Sequence, residues 1–324
     1  MNSKLDLIAF PKFYGSMENQ GAIVLRDTLL FFDEHTHSLE FKRSAFHSVA
    51  HQCAHQWFGD LLSNRRWTEM FLSESLAHFF EHQIYANLTG DDLLLRFASA
   101  EEGLLFDEDH LLPVVKETKS ESTPFTTLIH NKVLSPAALF HSLQILMDRR
   151  EFRGAVREYV DANQFGAVEL HDLYAAFAPH ANFPYETSNG SRSIGIREFA
   201  DRFLFQASFP VFVVNQTNNE TIVSVRPFHD PHDLPPSPFD HSWLLPLLVD
   251  RAERSELVGW LTDEQPTYSP SASLPVVVNP DRLVYARVLY DEGSWLHVLH
   301  RWEKKEISEG TRAALLADTL AFIK

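Results

Sequence analysis

The sequence predicts an α+β chain in three parts: a mixed unit over 1–206, a small all-β unit over 207–291 and the beginning of a helical unit over 292–324. Three observations carry this. Two segments of helical character, 41–58 and 67–88, follow strand-like runs near the N-terminus. Short β-type runs separated by turn residues cluster between Phe209 and Val278. From Ser294 the helical pattern returns and runs to the last residue.

The elements follow in order. Residues 4–10 alternate and meet Pro11, which reads as a strand, and 21–33 form a second strand region. Residues 133–160 read as one helical stretch, with Leu139, Phe140, Leu143 and Leu146 on adjoining faces. Pro179, Pro184, Asn189 and Gly190 mark 178–193 as a loop. A helix follows over 196–206, and then the character turns to β. No internal repeat is present at the usual periods.

A hydrophobic content of 44% in 324 residues suffices for a sizeable core. The net charge of -16 argues against nucleic-acid partners, which are held by Lys and Arg on phosphates. It biases the chain towards cationic or amine-bearing ligands. A single cysteine, Cys53, excludes an internal disulfide, which points to a reducing compartment. Four Asn-x-Ser/Thr sequons, at Asn87, Asn189, Asn215 and Asn219, point instead to a cell-surface or extracellular glycoprotein. The longest apolar runs fall far short of the ~18 residues that span a bilayer, so no membrane span is expected.

His51 and His55 lie four residues apart within 41–58, so both imidazoles can face one ion from one side of a helix. Phe46, Val49, Ala50, Cys53 and Trp57 form the opposite stripe, expected to be buried. Two His at this spacing also arise by accident on a solvated face. Glu74 strengthens the case: it follows His55 after 18 intervening residues, in a helix made largely of Trp67, Met70, Phe71 and Ala77. A carboxylate on a mainly buried face needs a partner, and a divalent cation is one. Two His, one Glu and an open position make a catalytic zinc pattern.

With these residues in place, the stretch resembles the gluzincin aminopeptidases of the aminopeptidase N family, whose signature is His-Glu-x-x-His, eighteen residues, then Glu. Trp57-Phe58-Gly59 and the segment from Trp67 to Ala77 match that family in order and spacing. Gly15-Ser16-Met17-Glu18-Asn19 is similar to its Gly-x-Met-Glu-Asn exopeptidase motif. Phe209 resembles the start of its β-sandwich, Arg287 to Asp291 the closing strand, and the tail from Trp295 the first helices of its C-terminal domain. The resemblance implies a thermolysin-like catalytic domain, a small β-sandwich and a helical domain. It implies one zinc ion on His51, His55 and Glu74. It also implies a substrate site at Gly15, Met17, Glu18 and Asn19, with Glu18 holding the free α-amino group of a peptide.

Two positions depart from the pattern. The family's general base falls at Gln52, and a neutral amide cannot accept a proton at useful basicity. The family's oxyanion Tyr aligns with Val133, and no Tyr occurs between Tyr85 and Tyr159. A positioned base is typically worth about 10²- to 10⁴-fold and one oxyanion donor about 10²–10³. The resulting expectation is a zinc-binding, peptide-binding homologue with weak or absent turnover. A working aminopeptidase with another base and a metal-free interaction fragment remain open alternatives, and an epoxide-hydrolysing relative is a remote fourth. Cys53 reads as a buried hydrophobe, and His47, one turn before His51, as a weaker ligand than Glu74. Against the family, the chain reads as a fragment, expected to associate with missing domains or a full-length homologue.

Overall fold

The structure is a computed structural model that describes residues 4–31, 33, 35–90, 93–115, 134–187, 190–217, 220–251, 254–269 and 276–323. Val133, Asn189 and Asn219 lie outside the described residues.

The N-terminal segment forms a three-stranded sheet from β1 (Asp6–Phe10), β2 (Ser16–Met17) and β3 (Ala22–Arg26). Strand β3 is central, parallel to β1 and antiparallel to β2. The expected strand region over 21–33 ends at Arg26. There Asp27 opens a helical turn, α1 (Asp27–Leu30), and its carboxylate accepts from the amide of Thr28.

Ser38 caps α2 (Leu39–His55) by accepting from the amide of Phe41, which supplies an orphan donor at the helix start with a partner. After a short strand, β4 (Leu62–Asn64), comes α3 (Met70–Thr89). Ten of its twenty residues are buried, which makes it a central helix packed on more than one side. It ends at Gly90, whose φ of 78° provides the left-handed closure that glycine adopts without a Cβ penalty. The next helix, α4 (Leu93–Asp109), has no counterpart in the sequence reading.

The helical stretch expected over 133–160 is two helices, α5 (Leu134–Leu146) and α6 (Asp148–Asn163). The break falls at Asp148, whose φ of 62° leaves the helical region while its carboxylate accepts from the amides of Arg150 and Glu151. A short strand, β5 (Gly166–Val168), pairs in parallel with β4, and α7 (Leu170–Phe177) follows. Within the expected loop over 178–193 the described residues form a β-hairpin, β6 (Asn182–Thr187) against β7 (Gly190–Gly195). Phe183 and Ile194 face each other across it and are buried, so a pair of core anchors overrides the turn-rich composition. Helix α8 (Ile196–Leu204) then buries Ile196, Phe199, Ala200 and Phe203 on one side.

Beyond it lie a four-stranded sheet, containing β8 (Pro210–Gln216) and β9 (Thr221–Pro227), and a three-stranded one around β10 (Leu245–Arg251). The buried side chains of both, among them Phe212, Val214, Leu245 and Val249, belong to the same hydrophobic cluster as Phe79 and Phe140 of α3 and α5. The last strand of the four-stranded sheet holds Arg287–Tyr290, and helices α9 (Glu292–Glu303) and α10 (Glu309–Ile323) close the described chain.

Two fully buried arginines tie these segments together. Arg287 reaches Glu101 at 2.9 Å and Asp318 at 3.0 Å, and Arg282 reaches the same two carboxylates at 2.9 and 2.8 Å. Glu108 completes the cluster. Helix α4, the end of the β unit and α10 are therefore joined by ion pairs out of reach of solvent screening.

Candidate metal centre

Helices α2 and α3 pack against each other and interleave two polar stripes: His47, His51 and His55 on α2, and Glu74, His78 and Glu81 on α3. The expected buried stripe of α2 holds in part: Ala50 is buried, but Trp57 is not. The buried residues of the helix are Ala45, Ala50, Gln52, Ala54 and His55. Phe46, Val49 and Cys53 are half-buried and Trp57 is exposed. The His-bearing side packs against α3, whose carboxylates give the imidazoles polar partners.

The ring nitrogens Nε2 of His51 and His55 are 2.9 Å apart, and Oε2 of Glu74 lies 3.5 and 3.6 Å from them. Both outer nitrogens are engaged. Nδ1 of His55 donates to the carbonyl of Phe58 at 2.8 Å, and Nδ1 of His51 faces Oε2 of Glu81 at 3.1 Å. These contacts place the ring protons outward and turn both Nε2 lone pairs towards the Glu74 carboxylate. Three electron-pair donors facing one point repel unless a cation or proton lies between them. Zn–N and Zn–O bonds of 2.0–2.2 Å in a tetrahedron would space the ligand atoms by about 3.3 Å, so the observed triangle fits such an ion. The donor set, two imidazoles and one carboxylate, fits zinc as well.

Without an ion, protonation of the imidazoles offers the same relief. Burial opposes the charge on His51, but hydrogen bonds with Glu74 and Glu81 override it and push the pKa up to about 9. Burial likewise opposes the charge on Glu74, and its hydrogen bonds with His51 and His55 hold the carboxyl well below the usual carboxylate range.

A cleft of about 880 Å³ opens over this triangle, lined by His51, His55, Glu74, Gln52, Met17 and Glu18 among others. Gln52 is buried, and its Oε1 has no hydrogen-bond partner among the described residues. Glu18 is set by Gln56, whose side-chain amide donates to the Glu18 carbonyl at 2.6 Å and accepts from the Gly21 amide at 2.9 Å. The preceding loop is pinned by Arg26, which donates to the carbonyls of Phe13 and Tyr14. Gly15 and Asn19 do not line the cleft. They supply backbone: Gly15 O accepts from Arg26 N, and Asn19 O accepts from Ala22 N. Gly59 is required where it stands, because its φ of +139° suits glycine and an added Cβ would come within 3.3 Å of His55 Nδ1.

Three features were not foreseen. Glu81 holds His47, His51 and His78 at 2.6, 3.1 and 3.1 Å. Its signal is spacing: Glu74, His78 and Glu81 form one charged stripe on a helix rich in apolar residues. Asp60 lies close to Glu18, and burial followed by the Glu18 charge pushes its carboxyl up to about 6. Arg65 and Arg66 line the cleft and pair with Glu169, which only the fold brings near. His47 belongs with Glu81 and His82 and not with the His51, His55, Glu74 group, and Cys53 joins no such group among the described residues.

Residues 2–203 match the model of the peptidase family M1 domain. The chain belongs to peptidase family M1. The resemblance read from the motifs at Gly15–Asn19 and His51–Glu74 therefore holds at the level of the family. Among curated M1 relatives, aminopeptidase N of Haemonchus contortus is 27% identical over 339 residues, covering 98% of this chain and 34% of the relative. Glutamyl aminopeptidase of Bos taurus is 28% identical over 346 residues, covering 99% and 34%. Tricorn protease-interacting factor F2 of Thermoplasma volcanium is 26% identical over 328 residues, covering 99% and 38%. The chain thus spans about a third of the length of these M1 relatives. No helix among its described residues is long and apolar enough to cross a membrane.

Proposed function

We propose that this M1 chain is an aminopeptidase-like zinc protein that binds peptides by their free N-terminus and has weak or no turnover. The convergence of His51 Nε2, His55 Nε2 and Glu74 Oε2 within 3.6 Å supports this reading most directly. His51, His55 and Glu74 would hold the ion, which supplies Lewis-acid polarisation when bound. Glu18, steadied by Gln56 and with Asp60 close by, presents negative charge to the α-ammonium group of a peptide. Gln52 occupies the base position beside the triangle. Its amide can hydrogen-bond a water but cannot take the proton, so the step that needs a base has none at that place. Val133, by alignment, leaves the oxyanion without a phenolic donor.

The same reading makes 1–206 a thermolysin-like catalytic domain, 207–291 a β-sandwich and 292–324 the start of a helical domain. It also includes association with further domains or a full-length homologue. A surface or extracellular place is supported by the sequons, two of which, at Asn87 and Asn215, lie on exposed residues.

The test is zinc-dependent release of fluorophore from aminoacyl substrates by the native chain and by a Gln52→Glu, Val133→Tyr variant. Zinc should bind the native chain at about one ion per chain, without turnover, and the variant should gain activity. A native chain as active as the variant would overturn the impairment. A chain whose melting temperature ignores zinc would overturn the metal site, because a ligand that binds only the folded state must stabilise it.

A further inference from the structure

A second depression, of about 640 Å³, lies beside the same two helices and is walled by α6. Its lining is mainly apolar: Trp57, Phe58, Phe80, Ile84, Val156 and Val160 contribute, with the rings of Phe58 and Phe80 stacked at 5.1 Å. Along α6, Arg149, Arg153 and Arg157 line it at successive i, i+4 positions, a straight stripe rising about 6 Å per step. None of the three guanidinium groups has an ion pair or side-chain hydrogen bond among the described residues. One carboxylate, Asp161, also lines the groove, so three positive charges face one negative charge. In a chain of net charge -16 the lining of this groove is cationic.

The two halves of the groove ask for different things of one occupant. A hydrophilic anion would leave the aromatic floor wet, and a purely apolar molecule would leave the arginines unused. The volume suits a single small ligand, whose pockets typically measure about 300–1,000 Å³. A specific protein partner would need roughly 1,000 Å² or more of complementary surface. Guanidinium groups match the planar carboxylate with paired hydrogen bonds.

We propose that this groove binds an amphiphilic carboxylate of the fatty-acid class, with its chain on the Phe58–Phe80 floor and its head on the Arg149–Arg157 stripe. The site is independent of the metal centre, although Ala54 and Trp57, which line it, stand on and just beyond the helix that carries His51 and His55.

The experiment is calorimetric titration of the full chain with decanoate, below its micellar concentration. Saturable binding of one decanoate per chain is expected. An Arg149→Gln, Arg153→Gln, Arg157→Gln variant should bind at least about tenfold more weakly, the scale of one lost charge-assisted hydrogen bond. All three side chains are exposed, so its melting temperature should match that of the native chain. Val156→Trp, which fills the groove and keeps the charges, should also weaken binding. Decanol, with the same chain and no charge, should bind at least tenfold more weakly than decanoate. Absence of saturable binding, undiminished binding by the triple variant or equal binding of decanol would overturn the proposal.

Discussion

Nδ1 of His51 lies 3.1 Å from Oε2 of Glu81, and this contact aims the opposite nitrogen of the ring at His55 and Glu74. Glu81 touches none of the three converging atoms itself, yet it decides which nitrogen of His51 carries the proton.

Replacing that carboxylate should therefore weaken the metal site without removing a ligand. Glu81→Gln is expected to lower zinc affinity by about 10- to 100-fold, the usual scale for an outer partner of a ligating His. Competition against a fluorescent chelator would measure it. Unchanged affinity would mean that the His51 ring is held by packing alone.

Zinc binding should also depend on pH with a defined sign. Burial disfavours the charge on His51, but Glu74 and Glu81 raise its pKa from 6.5 to about 9. In the metal-free chain the proton on His51 stabilises the fold fully below pH 6.5, and this stability is lost as pH rises through about 9. Zinc must displace that proton, so apparent affinity should climb about tenfold per pH unit between 6.5 and 9 and level off above. Affinity measured across that range checks it, and a flat profile would show His51 already neutral.

Placing a carboxylate at position 52 tests the chemistry. Gln52→Glu alone should raise peptidase turnover by about 10²- to 10⁴-fold over the native chain, the worth of a positioned base. Burst and steady-state release of fluorophore would report it. The buried Oε1 of Gln52 has no partner among the described residues, so the change removes no existing hydrogen bond of that atom.

Arg287 is the position where stability should be most sensitive. Arg287→Met strands Glu101, Glu108 and Asp318 around a missing cation, with Arg282 left to serve them. Breaking a buried pair from one side typically costs about 3–5 kcal/mol. Urea denaturation should show this as a lower midpoint. Replacing Arg287 together with its partners by apolar residues should cost far less, because no buried charge is then abandoned.

The grouping of His51, His55 and Glu74 was legible in the sequence because helix periodicity is local: four residues is one turn, and a carboxylate among apolar residues announces a partner. The family was legible for the same reason, through short motifs held in order. The α+β class and the β-rich character after residue 207 followed from local pattern too. Other features depended on which surfaces meet. On α2 the buried residues include Gln52 and His55 while Trp57 just beyond it is exposed, since burial depends on where α3 packs as well as on α2's own hydrophobic residues. A turn-rich stretch became a hairpin because Phe183 and Ile194 both found the core. The hold of Gln56 on Glu18 and the arginine cluster join residues up to 186 positions apart. A sequence determines which chemical groups each turn of helix can present. Which buried charge meets which partner is decided only when distant segments pack, because that pairing is a property of the assembled interior.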